Sequence, residues 1–230
     1  MTKRTKEFEK LVDKKKLYTL KEAIEVLKKA PAVKFDQTAE VAIKLGIDPK
    51  ETSQAIRGTV ALPHGTGKKV KIAVFAKGEN EKNAKTAGAD FVGAEDLVTK
   101  VLSGWCDFDI AISTPEMMKD MAKLGKILGP RGLMPNPKAG TVTDNVTKAI
   151  TDFKKGKIEF RMDKQGNIQA PVGKMSFSSD MLFENISSLM EAVMNARPPA
   201  LKGNYIKSVA LSSTMGPGLR FDISSWSSPR

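Results

Sequence analysis

The sequence predicts an α/β protein of two domains: a discontinuous antiparallel domain built from both ends of the chain, and a parallel α/β domain inserted into it. Three observations carry this. Towards both ends apolar residues alternate with polar ones, as in Val41, Ile43, Leu45 and Ile47 and again in Ile158, Phe160 and Met162. That is the pattern of a strand with one face in the core and one in water. In the middle the apolar runs are short and unbroken, Ile72-Ala73-Val74-Phe75-Ala76 and Ile110-Ala111-Ile112 with Phe91-Val92 between them, as in parallel strands covered on both faces. The change of pattern falls at a turn-rich stretch, Leu62-Pro63-His64-Gly65-Thr66-Gly67-Lys68-Lys69, and insertion at an exposed Gly/Pro-rich site is physically easy. The boundaries read as 1–66 with 158–230 for the split domain and 67–157 for the insert, the two connecting strands forming a hinge.

Taken in order, the first sixteen residues alternate charges with Phe8, Leu11 and Val12 and read as a surface helix. Thr19-Leu20-Lys21-Glu22 is a capping box, in which the Thr oxygen and the Glu carboxylate satisfy free N–H groups at a helix start. Leu20, Ile24 and Leu27 line one face of that helix, and Pro31 stops it. In the middle of the chain Thr114-Pro115-Glu116 opens a helix in the order cap, proline, acid, with Met117, Met121, Leu124 and Leu128 as its apolar stripe. Such methionine spacing is core packing rather than a ligand box. Gly129 to Gly140 holds three prolines and three glycines, and no regular element is expected there; a helix follows around Val146 to Phe153. The turn Asp163-Lys164-Gln165-Gly166-Asn167 between two alternating runs is a hairpin signal. Leu182, Ile186, Leu189 and Val193 mark a helix closed by Pro198-Pro199, and a strand from Tyr205 to Leu211 leads to Ser213-Thr214-Met215-Gly216-Pro217-Gly218. Beyond Ser224 the chain reads as a polar tail.

Composition bounds the function. With 40% hydrophobic and 28% charged residues among 230, the chain is long enough for two modest cores. No stretch approaches a membrane span, and the basic segment Met1 to Lys16 is not followed by the apolar run of a signal peptide. The single cysteine, Cys106, allows no internal disulfide and fits a reducing cytoplasm. The single histidine, His64, removes triads that need histidine and most zinc sites. The net charge is +12, and basic proteins of this size commonly meet nucleic acid. Residues 1–66 carry 14 basic against 9 acidic side chains, 67–157 carry 16 against 11, and 158–230 carry 8 against 6, so the charge belongs to the folded body and not to a tail. Two Tyr and two Trp are few for stacking single-stranded bases.

Catalytic motifs are missing. Gly65-Thr66-Gly67-Lys68-Lys69 fails as a phosphate loop: the first glycine would fall at Leu62, Lys69 stands where Ser or Thr is needed, and the loop precedes a strand. Lys77-Gly78-Glu79-Asn80-Glu81 after the first middle strand is no dinucleotide fingerprint. Asp107 and Asp109 lack a third metal ligand. No cofactor, no metal and no enzymatic activity are expected. Two stretches remain. In Gly129 to Gly140 a stiff backbone presents Arg131 and Lys138, with Lys126 just upstream, and Arg among glycines suits bidentate phosphate contacts; a proline-stiffened connection with incidental charges is the other reading. Ser213 to Gly218 reads either as a plain turn between strands or as a turn whose amides cradle phosphate or ribose oxygens.

Five ordered blocks resolve this by resemblance: Lys34-Phe35-Asp36-Gln37-Thr38; Arg57-Gly58-Thr59 with Leu62 to Lys68; Leu128 to Lys138; Ala170-Pro171-Val172-Gly173-Lys174; and Thr214-Met215-Gly216-Pro217. Together they resemble the bacterial form of the ribosomal protein L-one family over nearly the whole chain. The resemblance implies a split-βαβ antiparallel domain with an inserted Rossmann-like domain, and a cytoplasmic protein that is a monomer when free. It implies that the chain binds large-subunit ribosomal RNA to form the mobile side stalk of the large subunit. It further implies that the chain assists release of deacylated transfer RNA from the exit site, and represses translation of its own operon by binding the messenger RNA. The implied rRNA- and mRNA-binding residues are Lys34, Phe35, Thr38, Ser213, Thr214, Met215, Gly216 and Pro217, with Lys126, Arg131 and Lys138 facing transfer RNA. Gln37 departs from the acidic residue common at its position, and Gln169 from a frequent histidine. An enzyme using the parallel domain and a general nucleic-acid chaperone are the competing classes.

Overall fold

The computed structural model describes residues 7–8, 11–13, 16–31, 33–47, 56–199, 201 and 203–224. In chain order the elements are α1 (Leu20–Lys28), β1 (Thr38–Leu45), β2 (Arg57–Ala61), β3 (Ile72–Phe75), α2 (Glu79–Thr86), β4 (Phe91–Gly93), α3 (Glu95–Leu102) and β5 (Ile110–Ser113). After a run of short helical turns come α4 (Val146–Lys154), β6 (Lys157–Arg161), β7 (Asn167–Lys174), α5 (Ser179–Asn195), β8 (Ile206–Ser213) and β9 (Leu219–Phe221). The chain divides into two compact units, Met1–Gly67 with Ile158–Arg230, and Lys68–Lys157.

The first unit is an antiparallel sheet in the order β7-β1-β8-β9. Alternation decides its faces: Ala39, Val41, Ile43 and Leu45 of β1, Ile168, Ala170 and Val172 of β7, and Val209 and Leu211 of β8 are buried in one cluster with the apolar stripes of α1 and α5. Between them, Glu40, Ala42, Gln169, Pro171 and Ser208 are exposed. The capping box at α1 is formed, with the Glu22 amide donating to Thr19 Oγ1 at 3.3 Å and the Thr19 amide to the Glu22 carboxylate at 3.2 Å. Tyr18 adds a parallel bridge to β9 at Phe221. Asn185 of α5 is fully buried; its Nδ2 donates to the carbonyls of Gly65 (3.0 Å) and Val172 (2.7 Å), and its Oδ1 accepts the His64 amide at 3.1 Å. Both its donors and one of its two acceptor positions are directed at backbone groups, which need partners when buried. A two-stranded sheet of β2 and β6 carries an ion pair between Arg57 and Glu159. The ring of Phe160 lies over Gly58, where a Cβ would come within 2.6 Å of it.

The second unit is a parallel sheet in the order β4-β3-β5. Successive side chains of β3 enter two different cores: Ala73 and Phe75 join α3 and Met117, Met121, Leu124 and Leu128, while Ile72 and Val74 join Ala84 of α2 and Val146, Ala149, Ile150 and Phe153 of α4. A strand covered on both faces needs no polar alternation, which is why its run is continuous.

Three expectations change. The helix expected from Thr114 is four short pieces, 3-10 turns at Pro115–Met117 and Ala122–Leu124 alternating with α-turns at Met118–Met121 and Gly125–Leu128. Thr114 does not cap it, and Gly125 falls inside it; the four apolar residues are nevertheless all fully buried. Within the proline-rich loop Pro137–Ala139 forms a 3-10 turn, capped by Asn136 Oδ1 on the Lys138 amide at 2.8 Å. The runs on either side of Asp163 do not pair as a hairpin: β6 pairs with β2, β7 pairs with β1, and only a Met162–Ile168 bridge joins them. The turn is real, with Asp163 Oδ1 accepting the amides of Gln165 and Asn167, both at 2.8 Å, but it turns a corner between sheets. The surface helix of the first sixteen residues falls largely outside the described residues, with helical backbone at Glu7, Phe8 and Leu11, and the tail beyond Ser224 lies outside them altogether.

Candidate nucleic-acid interface

The start of β1 and the end of β8 lie side by side because the sheet pairs Ala39 with Ser213 in antiparallel register. The chain leaves β8 at Ser213, turns, and re-enters as β9 at Leu219. The turn is fastened at three points to Thr38 of β1 and to Gln37 just before it. The Thr214 amide donates to the Thr38 carbonyl at 3.0 Å, the Thr38 amide donates to Thr214 Oγ1 at 3.0 Å, and the Met215 amide donates to Gln37 Oε1 at 3.0 Å. A further bond from the Gly216 amide to the Ser213 carbonyl at 2.8 Å closes the turn itself.

Gly216 is required by close approach: a Cβ there would sit 2.2 Å from Ser213 Oγ. Ser213 is buried, and among the described residues its hydroxyl has no hydrogen-bond partner. Gln37 is buried too, at 8% exposure. A backbone N–H can pair only with the carboxamide oxygen, so the Met215 contact fixes the orientation of the amide. A neutral acceptor makes this bond without burying a charge.

On either side of this fastening two large apolar side chains stand in solvent, Phe35 at 53% and Met215 at 55% exposure, and Lys34 is exposed beside Phe35. A third segment, given no role by the sequence, completes the edge. Asp36 accepts from the Ser176 amide (3.2 Å) and hydroxyl (2.8 Å), and the Lys174 ammonium donates to Thr38 Oγ1 at 3.0 Å and to the Asp36 carbonyl at 3.4 Å. The only sequence signal for it was position, since Lys174 closes the Ala170–Lys174 block.

Lys126, Arg131 and Lys138 lie in the other unit, all three exposed. Their loop is stiff: Thr141 Oγ1 accepts the Asn136 amide at 2.8 Å and donates to the Asn136 carbonyl at 3.1 Å, while Leu133 and Met134 pack against the core. Two acids that the sequence sets close together, Asp107 and Asp109, are held by lysines of the same unit. Asp109 pairs with Lys68 at 2.6 Å and accepts the Lys71 amide, and Asp107 pairs with Lys71 at 2.9 Å. Among the described residues no three metal-ligating side chains converge, and no helix is long and apolar enough to cross a membrane.

A split antiparallel unit with a parallel α/β insert and a composite polar–apolar loop edge define a two-unit α/β protein. A family model described as "Ribosomal protein L1p/L10e family" matches residues 26–217, and the chain belongs to that family, in its bacterial form. It is 58% identical over 213 residues to the large ribosomal subunit protein uL1 of Chlamydia caviae, covering 93% of this chain and 92% of the relative. It is 55% identical over 222 residues to the protein of that name from Protochlamydia amoebophila (96% and 94% covered), and 55% identical over 223 residues to that of Fervidobacterium nodosum (96% and 95%).

Proposed function

We propose that this chain, a structural constituent of the large ribosomal subunit in the cytoplasm, binds large-subunit ribosomal RNA through the composite edge of its split unit and thereby forms the mobile side stalk. The observation that carries this reading is the fastening of Lys34–Thr38 to Ser213–Pro217, which holds exposed Phe35 and Met215 at one edge of the sheet. Structured RNA offers a wide, shallow minor groove lined with 2′-hydroxyls; hydroxyls and backbone amides bond to these while apolar side chains pack against ribose. An edge poor in charge suits such close contact, and Lys34 adds a salt-dependent attraction to phosphate. The domain roles follow: the split unit, 1–66 with 158–230, holds the RNA, and the insert, 67–157, moves with it.

The finer parts of the proposal are two. Deacylated transfer RNA leaving the exit site meets the insert at Lys126, Arg131 and Lys138, where a stiff loop holds the cations out in solvent. The messenger RNA of the protein's own operon binds the same composite edge by mimicking the ribosomal site, which makes the protein a translational repressor.

The test is competition at physiological salt between the stalk fragment of ribosomal RNA and an unrelated structured RNA of equal length. The proposal expects the stalk fragment to bind at least about tenfold more tightly. Equal affinities with equally steep salt dependence are the behaviour of a general nucleic-acid chaperone and reject it.

A further inference from the structure

Lys174 ends β7 beside the composite edge. Its side chain is half-buried, and its stem packs where a Cβ on Gly67 would come within 2.8 Å of its Cγ. An ammonium has three N–H donors and no acceptor. Two are directed at Thr38 Oγ1 (3.0 Å) and the Asp36 carbonyl (3.4 Å), both neutral oxygens. Among the described residues no carboxylate pairs with it. The neighbouring carboxylate, Asp36, is directed instead at the amide and hydroxyl of Ser176. The contrast with the insert is plain, since Lys68, Lys71, Lys77 and Lys85 there are each paired with an acid.

Among the described residues the result is a cation held by neutral acceptors, with no acid paired to its charge and no acceptor at its third N–H. It is attached to Thr38, the residue that also fastens the Ser213–Gly218 turn. We infer that Lys174 is a phosphate-binding residue of this edge: it holds one backbone phosphate of the bound RNA, while Thr38 and Thr214 fix where that phosphate lies relative to the turn. The inference rests on the reading of the edge as an RNA site and adds a residue and a ligand group to it. A held ammonium loses less side-chain freedom on binding than a lysine free in solvent, so its contribution exceeds that of the scattered surface lysines.

The test is the salt dependence of binding to the stalk RNA fragment by the full chain. Each phosphate neutralised contributes about 0.7–0.9 to the slope of log K against log salt. Lys174→Met keeps most of the stem and removes the charge. It is expected to lower affinity about five- to tenfold near physiological salt and to reduce the slope by about 0.7–0.9, with the thermal midpoint of the free protein checked alongside. Lys174→Arg keeps the charge and is expected to keep the slope, which also serves if the methionine variant fails to fold. An unchanged slope in Lys174→Met, or a reduced slope in folded Lys174→Arg, overturns the assignment, because a merely structural lysine changes affinity without changing the number of phosphates held. If wild-type protein shows no preference for the stalk fragment over unrelated structured RNA, the reading of the edge fails, and this assignment with it. If wild type prefers the fragment and Lys174→Met keeps the wild-type slope, only the lysine is wrongly assigned.

Discussion

Thr38 and Thr214, 176 residues apart in the chain, are joined by a reciprocal pair of hydrogen bonds: the amide of each is satisfied by the other, through the Thr38 carbonyl and the Thr214 hydroxyl, both at 3.0 Å. Thr214 Oγ1 lies 3.3 Å from the same Thr38 carbonyl, so the hydroxyl serves the protein before it serves any ligand. Thr214→Val keeps the shape and removes the oxygen, leaving the Thr38 amide without its acceptor. The proposed RNA edge loses one of its three fastening bonds, and affinity for the stalk RNA is expected to fall by about 1–3 kcal/mol. A gel-shift or filter-binding constant within twofold of wild type rejects this.

Gly216 and Ser213 form a coupled pair. Gly216→Ala places a Cβ 2.2 Å from Ser213 Oγ and is expected to destabilise the protein by about 1–3 kcal/mol through overpacking. Ser213→Ala alone is expected to be near neutral, because its buried hydroxyl has no partner to lose. The double variant recovers most of the loss, and denaturant unfolding of all four proteins measures the coupling. Additive effects contradict the contact.

Asn185 offers a test of the core. Asn185→Ala leaves the carbonyls of Gly65 and Val172 and the amide of His64 without their partner, and is expected to cost at least about 2–4 kcal/mol of stability. A midpoint of unfolding unchanged from wild type excludes the role given to this side chain.

Acid stability reports on the corner between the sheets. Desolvation works to raise the Asp163 pKa, but the hydrogen bonds from the Asn167 amide and side chain and the Gln165 amide, with the nearby Lys44 charge, outweigh it, and the carboxyl lies below its ordinary value. A depressed folded-state pKa stabilises the protein above the unfolded value of about 3.9, and the contribution is lost as pH falls from there through the folded value. Asp163→Asn is therefore expected to lose less stability than wild type between about pH 4.5 and pH 3. Parallel pH profiles of the thermal midpoint contradict this.

Much of this architecture was readable without coordinates, because the strongest signals are local. The Thr19–Glu22 box, the alternation in β1 and the unbroken run of β3 each follow from which faces a segment buries. Pairing partners are a different kind of information. The turn at Asp163 looks like a hairpin from within because its own hydrogen bonds are those of a tight turn, whereas the partners of β6 and β7 are set more than a hundred residues away by β2 and β1. Likewise the stripe from Met117 to Leu128 revealed burial but not the alternation of α and 3-10 turns, since both keep those side chains on one side. At the candidate edge Phe35 and Met215 are named by the resemblance and not by any local pattern. The bonds of Gln37, Asp36, Ser176 and Lys174 were not legible, because polar residues near a strand end give no sign of which bond they make until the register places them.

The central claim is that two segments distant in sequence form one surface for stalk RNA, and Phe35 and Met215 test it most directly, since both are exposed and carry little of the fold. Binding of the stalk fragment and of an unrelated structured RNA is measured for Phe35→Ala and for Met215→Ala. Each substitution is expected to weaken stalk binding by about tenfold, within the ~1–3 kcal/mol of an aromatic or apolar contact to nucleic acid, and to leave the weak binding of the unrelated RNA unchanged. If both variants bind the stalk fragment within twofold of wild type, or if only one segment matters, the composite surface is not the RNA site.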